Sequence, residues 1–153
     1  MSLIADPALV LVNDVIVQCQ INAQHHHYTG EVLSRPSTAR LLQHLAADRH
    51  ALAARLARQL FCLGGLPRLA DSELESLHEL GDRLLAHFGG YAEDLLLRER
   101  AGDERRLADI ARQALAHGIP GALGLELARL VDDARGTEQR IRGGLAYAPH
   151  GGG

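Results

Sequence analysis

Three adjacent histidines, His25, His26 and His27, lie inside the sequence in the stretch QINAQHHHYTG. Imidazole nitrogens are common ligands for zinc and iron, so a histidine run within a helix is a candidate for metal binding. Successive helical residues point about 100° apart, which prevents three neighbours from binding one ion. The sequence therefore predicts His26 or His27 as a ligand and His25 as a solvent-exposed side chain. The alternative is that the run forms the polar rim of an ordinary helix.

Two acids in the second half of the sequence, Glu99 and Asp103, fall on an otherwise apolar helical line. The apolar members of that line are Ala92, Leu96, Leu107, Ile110 and Ala114. Burying an unpaired carboxylate is costly, so both acids need a metal ion or a positive side chain as a partner. We expect either a metal site at Glu99 and Asp103 or a salt bridge from them to Arg49.

Further acids fall near the middle of other predicted helices, at about the same level of a helical bundle. Asp48 precedes Arg49 in the second helix, and Asp132 and Asp133 are neighbours in the last one. Asp48 and Asp133 are candidate metal ligands on this basis. Solvent exposure or pairing with arginine is the alternative for Asp132 and Asp133.

Proline, glycine and capping residues divide the chain into helices. Asp6 is an N-cap before Pro7, and Ser72 opens a Ser-Glu-Leu-Glu capping box. A Glu-x-x-His pattern from Glu75 to His78 lies at the start of that short helix, whereas in di-metal bundles it lies within a long core helix. The predicted helices cover residues 7–33, 37–64, 72–88, 91–117 and 120–141.

Apolar residues recur every three or four positions in the four long segments, and no segment alternates as a strand does. Four long amphipathic helices with brief connections predict an all-α fold, an antiparallel four-helix bundle with one additional short helix. Residues 1–145 are predicted to form this single domain. Residues 146–153, which end in three glycines, are predicted to be a disordered tail.

Composition argues against several function classes. The 153 residues carry a formal net charge of −3 and no lysine. Nucleic-acid binding usually needs a basic face with aromatic side chains, and a membrane span needs roughly 20 apolar residues, so neither partner is expected. Cys19 and Cys62 lie among apolar neighbours without a sign of activation, which argues against cysteine catalysis. These cysteines, and a start that does not read as a secretion signal, predict a cytoplasmic location.

Several stretches, in their order and spacing, resemble a family of bacterial ferritin-like proteins that carry a domain of unknown function. The resemblance covers about Val10 to Leu145. It implies a ferritin-like fold, in which carboxylates and histidines from four helices hold a pair of iron or manganese ions. The matching stretches are LVNDVIVQCQINAQ, LLQHLAADRHALAARLARQLFCLGGLP, SELESLHELGDRLLAHFGG and LLLRERAGDE.

Some positions depart from the pattern of that family. Gln24 stands where glutamate is usual, the Asp48-Arg49 step has no histidine three residues later, and Thr137 stands where a histidine is expected. A di-metal site of this class uses about four carboxylates and two histidines. The remaining set fits a single ion, or zinc, better than an iron pair. The candidate ligands are His26, His27, Asp48, Glu99, Asp103 and Asp133.

Two functions follow from these observations. The first is a ferritin-like bundle that binds iron, manganese or zinc in its core and has a stress-related or metal-related role. The second is a non-enzymatic interaction or dimerisation scaffold that has lost the metal site. A homodimer is expected, because Leu84, Leu85 and Phe88 of the short helix exceed what a closed four-helix core absorbs.

Overall fold

The computed structural model describes residues 6–70 and 89–146. This part of the chain forms the helices α1 (Pro7–Val32), α2 (Pro36–Cys62), α3 (Gly90–Ala116) and α4 (Gly121–Arg142), without a strand. The all-α class is therefore confirmed. The predicted short helix at 72–88, with the pattern from Glu75 to His78, and the tail residues 147–153 lie outside the described residues. No helix of the two described ranges is long and apolar enough to cross a membrane.

Local sequence signals account for the helix ends. The Asp6 side chain accepts a hydrogen bond from the Ala8 backbone N–H at 2.9 Å, and Pro7 occupies the first turn of α1. Pro36 starts α2 in the same way, where a missing backbone N–H has no cost. Between α3 and α4 the chain turns through Gly118 (φ 76°) and Gly121 (φ 68°), in backbone conformations that favour glycine.

The helix directions follow from the side chains that meet. Asn22 of α1 bonds Glu104 of α3, and Thr29, two turns later in α1, bonds Arg100, one turn earlier in α3. α1 and α3 are therefore antiparallel, as are α1 with α2, α3 with α4 and α2 with α4. It follows that α2 and α3 lie diagonally and run in the same direction.

The end of α2 and the start of α3 consequently lie at opposite ends of the bundle. The segment between α2 and α3, where the additional short helix is predicted, therefore has to span the length of the bundle. Described residues after α2 already turn back along α1: the Leu66 carbonyl accepts a hydrogen bond from Asn13 at 3.0 Å, and the Ala70 N–H donates to Gln20 at 2.6 Å. A path from Asn13 towards Gln20 leads away from the end of α2.

A group of buried charges closes the end of the bundle where α3 begins. The Ser34 hydroxyl donates to Glu93 at 3.0 Å, and Arg35 donates to Asp94 at 2.6 Å. The same guanidinium donates to the Gly144 carbonyl at 3.0 Å. The turn between α1 and α2 is thereby joined to the start of α3 and to the residues after α4.

The core consists of two apolar clusters separated by a polar layer. The larger cluster fills the end of the bundle where α1 begins, and the smaller one fills the end where α1 stops. Along α2, for example, Leu45 belongs to the smaller cluster and Leu52 to the larger, with buried Arg49 between them. The buried polar residues between the clusters include Asn22, His26, Arg49, Asp103, Glu104 and Thr137.

Candidate functional site: a buried charge network

All four described helices contribute to the polar layer at mid-bundle. α1 supplies Asn22 and His26, α2 supplies Arg49, α3 supplies Glu104 and α4 supplies Asp133. We call these five residues the central charge network. They sit where their helices pass between the two apolar clusters, so each side chain reaches its partners from a packed backbone.

Glu104 is the hub of the central charge network and is fully buried. Its Oε1 accepts hydrogen bonds from Arg49 Nε at 3.0 Å and Nη2 at 2.5 Å. Its Oε2 accepts from Asn22 Nδ2 at 2.8 Å and lies 3.0 Å from His26 Nε2. Burial alone would raise the pKa of this carboxyl, but the hydrogen bonds from His26 and Arg49 outweigh it and lower the pKa to about 2. Glu104 therefore remains ionised at neutral pH.

Arg49 carries the balancing charge and is 3% exposed. Besides its bonds to Glu104, its Nη2 donates to Asp133 Oδ2 at 2.8 Å. Burial would lower the pKa of the guanidinium, yet the hydrogen bonds and charges of Glu104 and Asp133 raise it above the usual value. Arg49 thus links a carboxylate inside the core to one at the surface of α4.

His26 fixes the other side of Glu104. Its ring is fully buried, and its Nδ1 has no hydrogen-bond partner among the described residues. The nitrogen that faces the ionised carboxylate, Nε2, is therefore the one that carries a proton and donates it. In this arrangement His26 is a hydrogen-bond donor to Glu104.

A second cluster surrounds Asp103 beside the network. Its carboxylate accepts from Arg100 Nε at 2.9 Å and Arg106 Nη1 at 3.0 Å, and lies 3.1 Å from His25 Nδ1. Arg100 also donates to the Thr29 hydroxyl at 3.1 Å. Burial raises the pKa of Asp103, but the hydrogen bond from His25 and the charge of Arg100 lower it further than burial raises it. Asp103 is therefore also ionised, and the guanidinium groups of Arg100 and Arg106 balance its charge.

The acids of α3 are not arranged as the sequence predicted. Glu99 is exposed, so the expectation that it faces the core is wrong, while Asp103 is buried as expected. The buried face of α3 centres on Leu97, Ala101 and Glu104, and Glu99 lies more than a quarter turn from that centre. The salt bridge to Arg49 exists, but Glu104 forms it. A helical line through the two residues Leu97 and Ala101 would have identified Glu104.

The histidine run is also distributed differently. His26 is buried as its place on the apolar line indicates, but the exposed member is His27, not His25. His25 turns towards α3 and is held by Asp103, whereas His27 turns outwards and pairs with Glu31 at 2.7 Å. When one helical residue points into the core, the residues before and after it point to opposite sides of the helix. Here α3 packs over the side of His25, and the side of His27 faces outwards.

The remaining two candidate ligands lie on the bundle surface. Asp48 is 56% exposed, and His44 Nε2 lies 3.6 Å from its carboxylate. Asp133 is 59% exposed yet reaches Arg49, which brings it into the network. Asp132 is exposed, which agrees with the alternative that it faces solvent. Of the predicted residues, the structure thus groups His26 and Asp133 around Glu104, and Asp103 with His25 beside them.

The residues at mid-bundle do not fit a metal ion as they stand. Both oxygens of Glu104 are taken by Arg49, Asn22 and His26, and Asp103 is bonded by Arg100 and Arg106. Within residues 6–70 and 89–146 no group of three histidine, cysteine or acidic side chains is arranged to hold a metal. An ion at this level would have to displace arginine side chains. The metal roles of His26, His27, Asp48, Glu99, Asp103 and Asp133 stay predictions.

No protein-family model matches the chain, and neither a curated protein nor a solved structure matches it. The ferritin-like resemblance therefore rests on the quoted sequence stretches.

Proposed function

We propose that the chain is a ferritin-like bundle whose central site is a fixed ion-pair network, and that it acts as a non-enzymatic interaction scaffold. One observation carries this proposal: Arg49 lies between Glu104 and Asp133. The positive charge that acids at mid-bundle require is supplied by the chain itself.

The helix directions support the ferritin-like part of the proposal. Ferritin-like bundles have one long crossover, so that the helices before and after it run in the same direction. α2 and α3 are related in this way, and residues 66–70 begin a path back along α1. A bundle with short connections only would have made α2 and α3 antiparallel neighbours.

The pairing of every central acid supports the non-enzymatic part. A general acid or base needs a pKa near neutrality, whereas the pKa of Glu104 is lowered to about 2 and that of Asp103 is lowered as well. Cys19 is fully buried, and burial raises the pKa of its thiol to about 12, which opposes nucleophilic use. None of these groups is poised for proton transfer or attack.

Metal binding is the competing function, and one observation favours it. Two separate pairs between α1 and α3, His25 with Asp103 and His26 with Glu104, each place an imidazole beside a carboxylate. Imidazole and carboxylate are ligand types that zinc and iron accept. The ion would have to replace Arg49 and Arg100 as partners of the acids, so metal binding requires a rearrangement of both guanidinium groups.

The experiment that separates the two functions is metal analysis of the chain purified without a histidine tag, with melting in chelator and in added iron, manganese or zinc. The scaffold proposal expects no stoichiometric metal and the same melting temperature in all conditions. A ligand that binds only the native state stabilises it by mass action. Bound metal near one per chain, with a melting temperature that chelator lowers, would refute the scaffold.

A further inference from the structure

Among the described helices, α2 and α4 leave the widest groove between neighbours. α2 and α4 approach each other over a short length, while the other neighbouring pairs pack along theirs. The groove encloses about 650 Å³ and has the core residues Leu52 and Leu130 at its floor. Its exposed rim includes Ala51 on α2 and Leu125, 55% exposed, on α4.

The charges that line the groove are unevenly distributed, with one excess acid at one end and one excess arginine at the other. Asp48 and Asp133 lie towards one end, near the level of Arg49. Arg55 and Arg129 lie towards the other end, where Arg55 Nε bonds Glu126 at 2.9 Å. Arg129 is exposed and forms no ion pair with any described residue.

The two pairs of opposite charge share one midpoint. Along α2 the midpoint between Asp48 and Arg55 falls beside Ala51. Along α4 the midpoint between Arg129 and Asp133 is residue 131, which the two cross-groove contacts Arg49–Asp133 and Arg55–Glu126 place at the level of Ala51. A two-fold axis at this level, lying across the mouth of the groove and perpendicular to the helices, would exchange Asp48 with Arg55 on α2 and Asp133 with Arg129 on α4.

We propose that a second copy of this chain docks on the α2/α4 groove through that two-fold axis. In the docked pair, Asp48 faces Arg55 of the second copy and Asp133 faces Arg129 of the second copy. α2 then crosses its own equivalent at Ala51, whose small side chain permits a close approach. The inference rests on the proposed scaffold function and names its partner.

The charge pattern favours a second copy over other occupants. An isologous interface must be complementary to itself, and this groove carries arginines and acids in equal number: Arg49, Arg55 and Arg129 against Asp48, Glu126 and Asp133. A nucleic acid or an anionic ligand would meet no net positive charge. Leu125 and the apolar floor supply surface that water leaves on association.

The test uses native mass at high micromolar concentration for the wild type, Ala51→Arg and the control Ala54→Arg. Ala54 is exposed on α2 but does not line the groove. We expect a dimeric wild type, a dissociation constant raised about tenfold or more by Ala51→Arg through overpacking, and no change in Ala54→Arg. A monomeric wild type, whose groove is then left to another partner, would overturn the proposal. Equal effects of the two arginines would overturn it as well.

A charge exchange tests the same axis independently of sterics. Asp48→Arg and Arg55→Glu each place like charges opposite one another, so we expect each variant alone to be mainly monomeric, about 100-fold weaker than the wild type. An equal mixture restores opposite charges and should form a heterodimer. Failure of the mixture to associate would overturn the two-fold arrangement. Metal analysis tests the scaffold function separately, because a bound metal ion would not by itself change whether the chain is a monomer or a dimer.

Discussion

Arg49 and Glu104 join two helices that do not pack side by side. α2 and α3 face each other diagonally across the core, and the guanidinium reaches the carboxylate with Nη2–Oε1 at 2.5 Å. Asp133, Asn22 and His26 then connect this diagonal pair to α4 and α1. The Glu104 carboxylate therefore links all four helices, directly or through Arg49.

Neutralising Glu104 should destabilise the protein strongly. In Glu104→Gln the buried Arg49 loses its buried charged partner and keeps the exposed Asp133. Breaking a buried pair typically costs about 3–5 kcal/mol. Glu99→Gln is the matched control, because it makes the same chemical change at an exposed position of the same helix. Urea unfolding should show a large fall in the free energy of unfolding for Glu104→Gln and almost none for Glu99→Gln. Similar values for the two variants would contradict the central role of Glu104.

Removing both members of the diagonal pair should cost less than the sum of the single changes. Arg49→Met and Glu104→Leu each leave a buried charge behind, whereas the double variant leaves neither of these two. A double-mutant cycle by urea unfolding should give a coupling free energy of about 1–3 kcal/mol. Additive effects would mean that the two side chains do not interact in solution.

Acid should remove the contribution of Glu104 in a defined pH range. The pKa of this carboxyl falls from 4.5 to about 2 on folding, so its contribution is complete above pH 4.5 and is lost as pH falls towards 2. The size of this contribution is about 3 kcal/mol. The difference in unfolding free energy between wild type and Glu104→Gln should be constant from pH 5 to 7, within about 0.5 kcal/mol, and shrink below pH 4.5. A difference that grows on acidification has the wrong sign for a lowered pKa.

The end group at Arg35 gives a separate prediction. Arg35→Met removes one of the partners of the buried Asp94 and the bond to the Gly144 carbonyl. Hydrogen bonds to charged groups contribute about 1.5–3 kcal/mol, so a loss of that order is expected. Arg40→Met, at an exposed site of the same helix, serves as the control. Hydrogen exchange should also quicken at the start of α3 in the Arg35 variant only.

The two cysteines should differ in their reaction with a thiol reagent. Cys19 is buried and the pKa of its thiol is raised to about 12, whereas Cys62 is exposed at the end of α2. We expect one thiol per native chain to react rapidly and the second only after unfolding. A Cys62→Ser variant should then be unreactive in the native state. Rapid labelling of that variant would show that the core opens at Cys19.

Helix positions and the burial of His26 could be predicted, because caps, prolines and apolar spacing are local in the sequence. The choice of acid could not be predicted as easily. Asp103 and Glu104 are adjacent, both are buried, and only the angular centre of the α3 face distinguishes the one that reaches Arg49. The direction of α3 relative to α2 does not follow from the sequence, because helical periodicity is the same in both directions. Side-chain contacts such as Thr29–Arg100 reveal it.

The placement of the polar layer between two apolar clusters also bears on the choice of helix register. Leucines and alanines along a bundle are nearly interchangeable, so apolar clusters alone would tolerate a helix displaced by one turn, about 5.4 Å. Such a slip of α3 would carry Glu104 away from Asn22, His26 and Arg49 and into contact with apolar side chains. The ionised carboxylate would then be buried without a hydrogen-bond donor, and the displaced alignment offers no contact that offsets this free-energy cost. A single charged side chain thereby singles out one vertical alignment of the four helices.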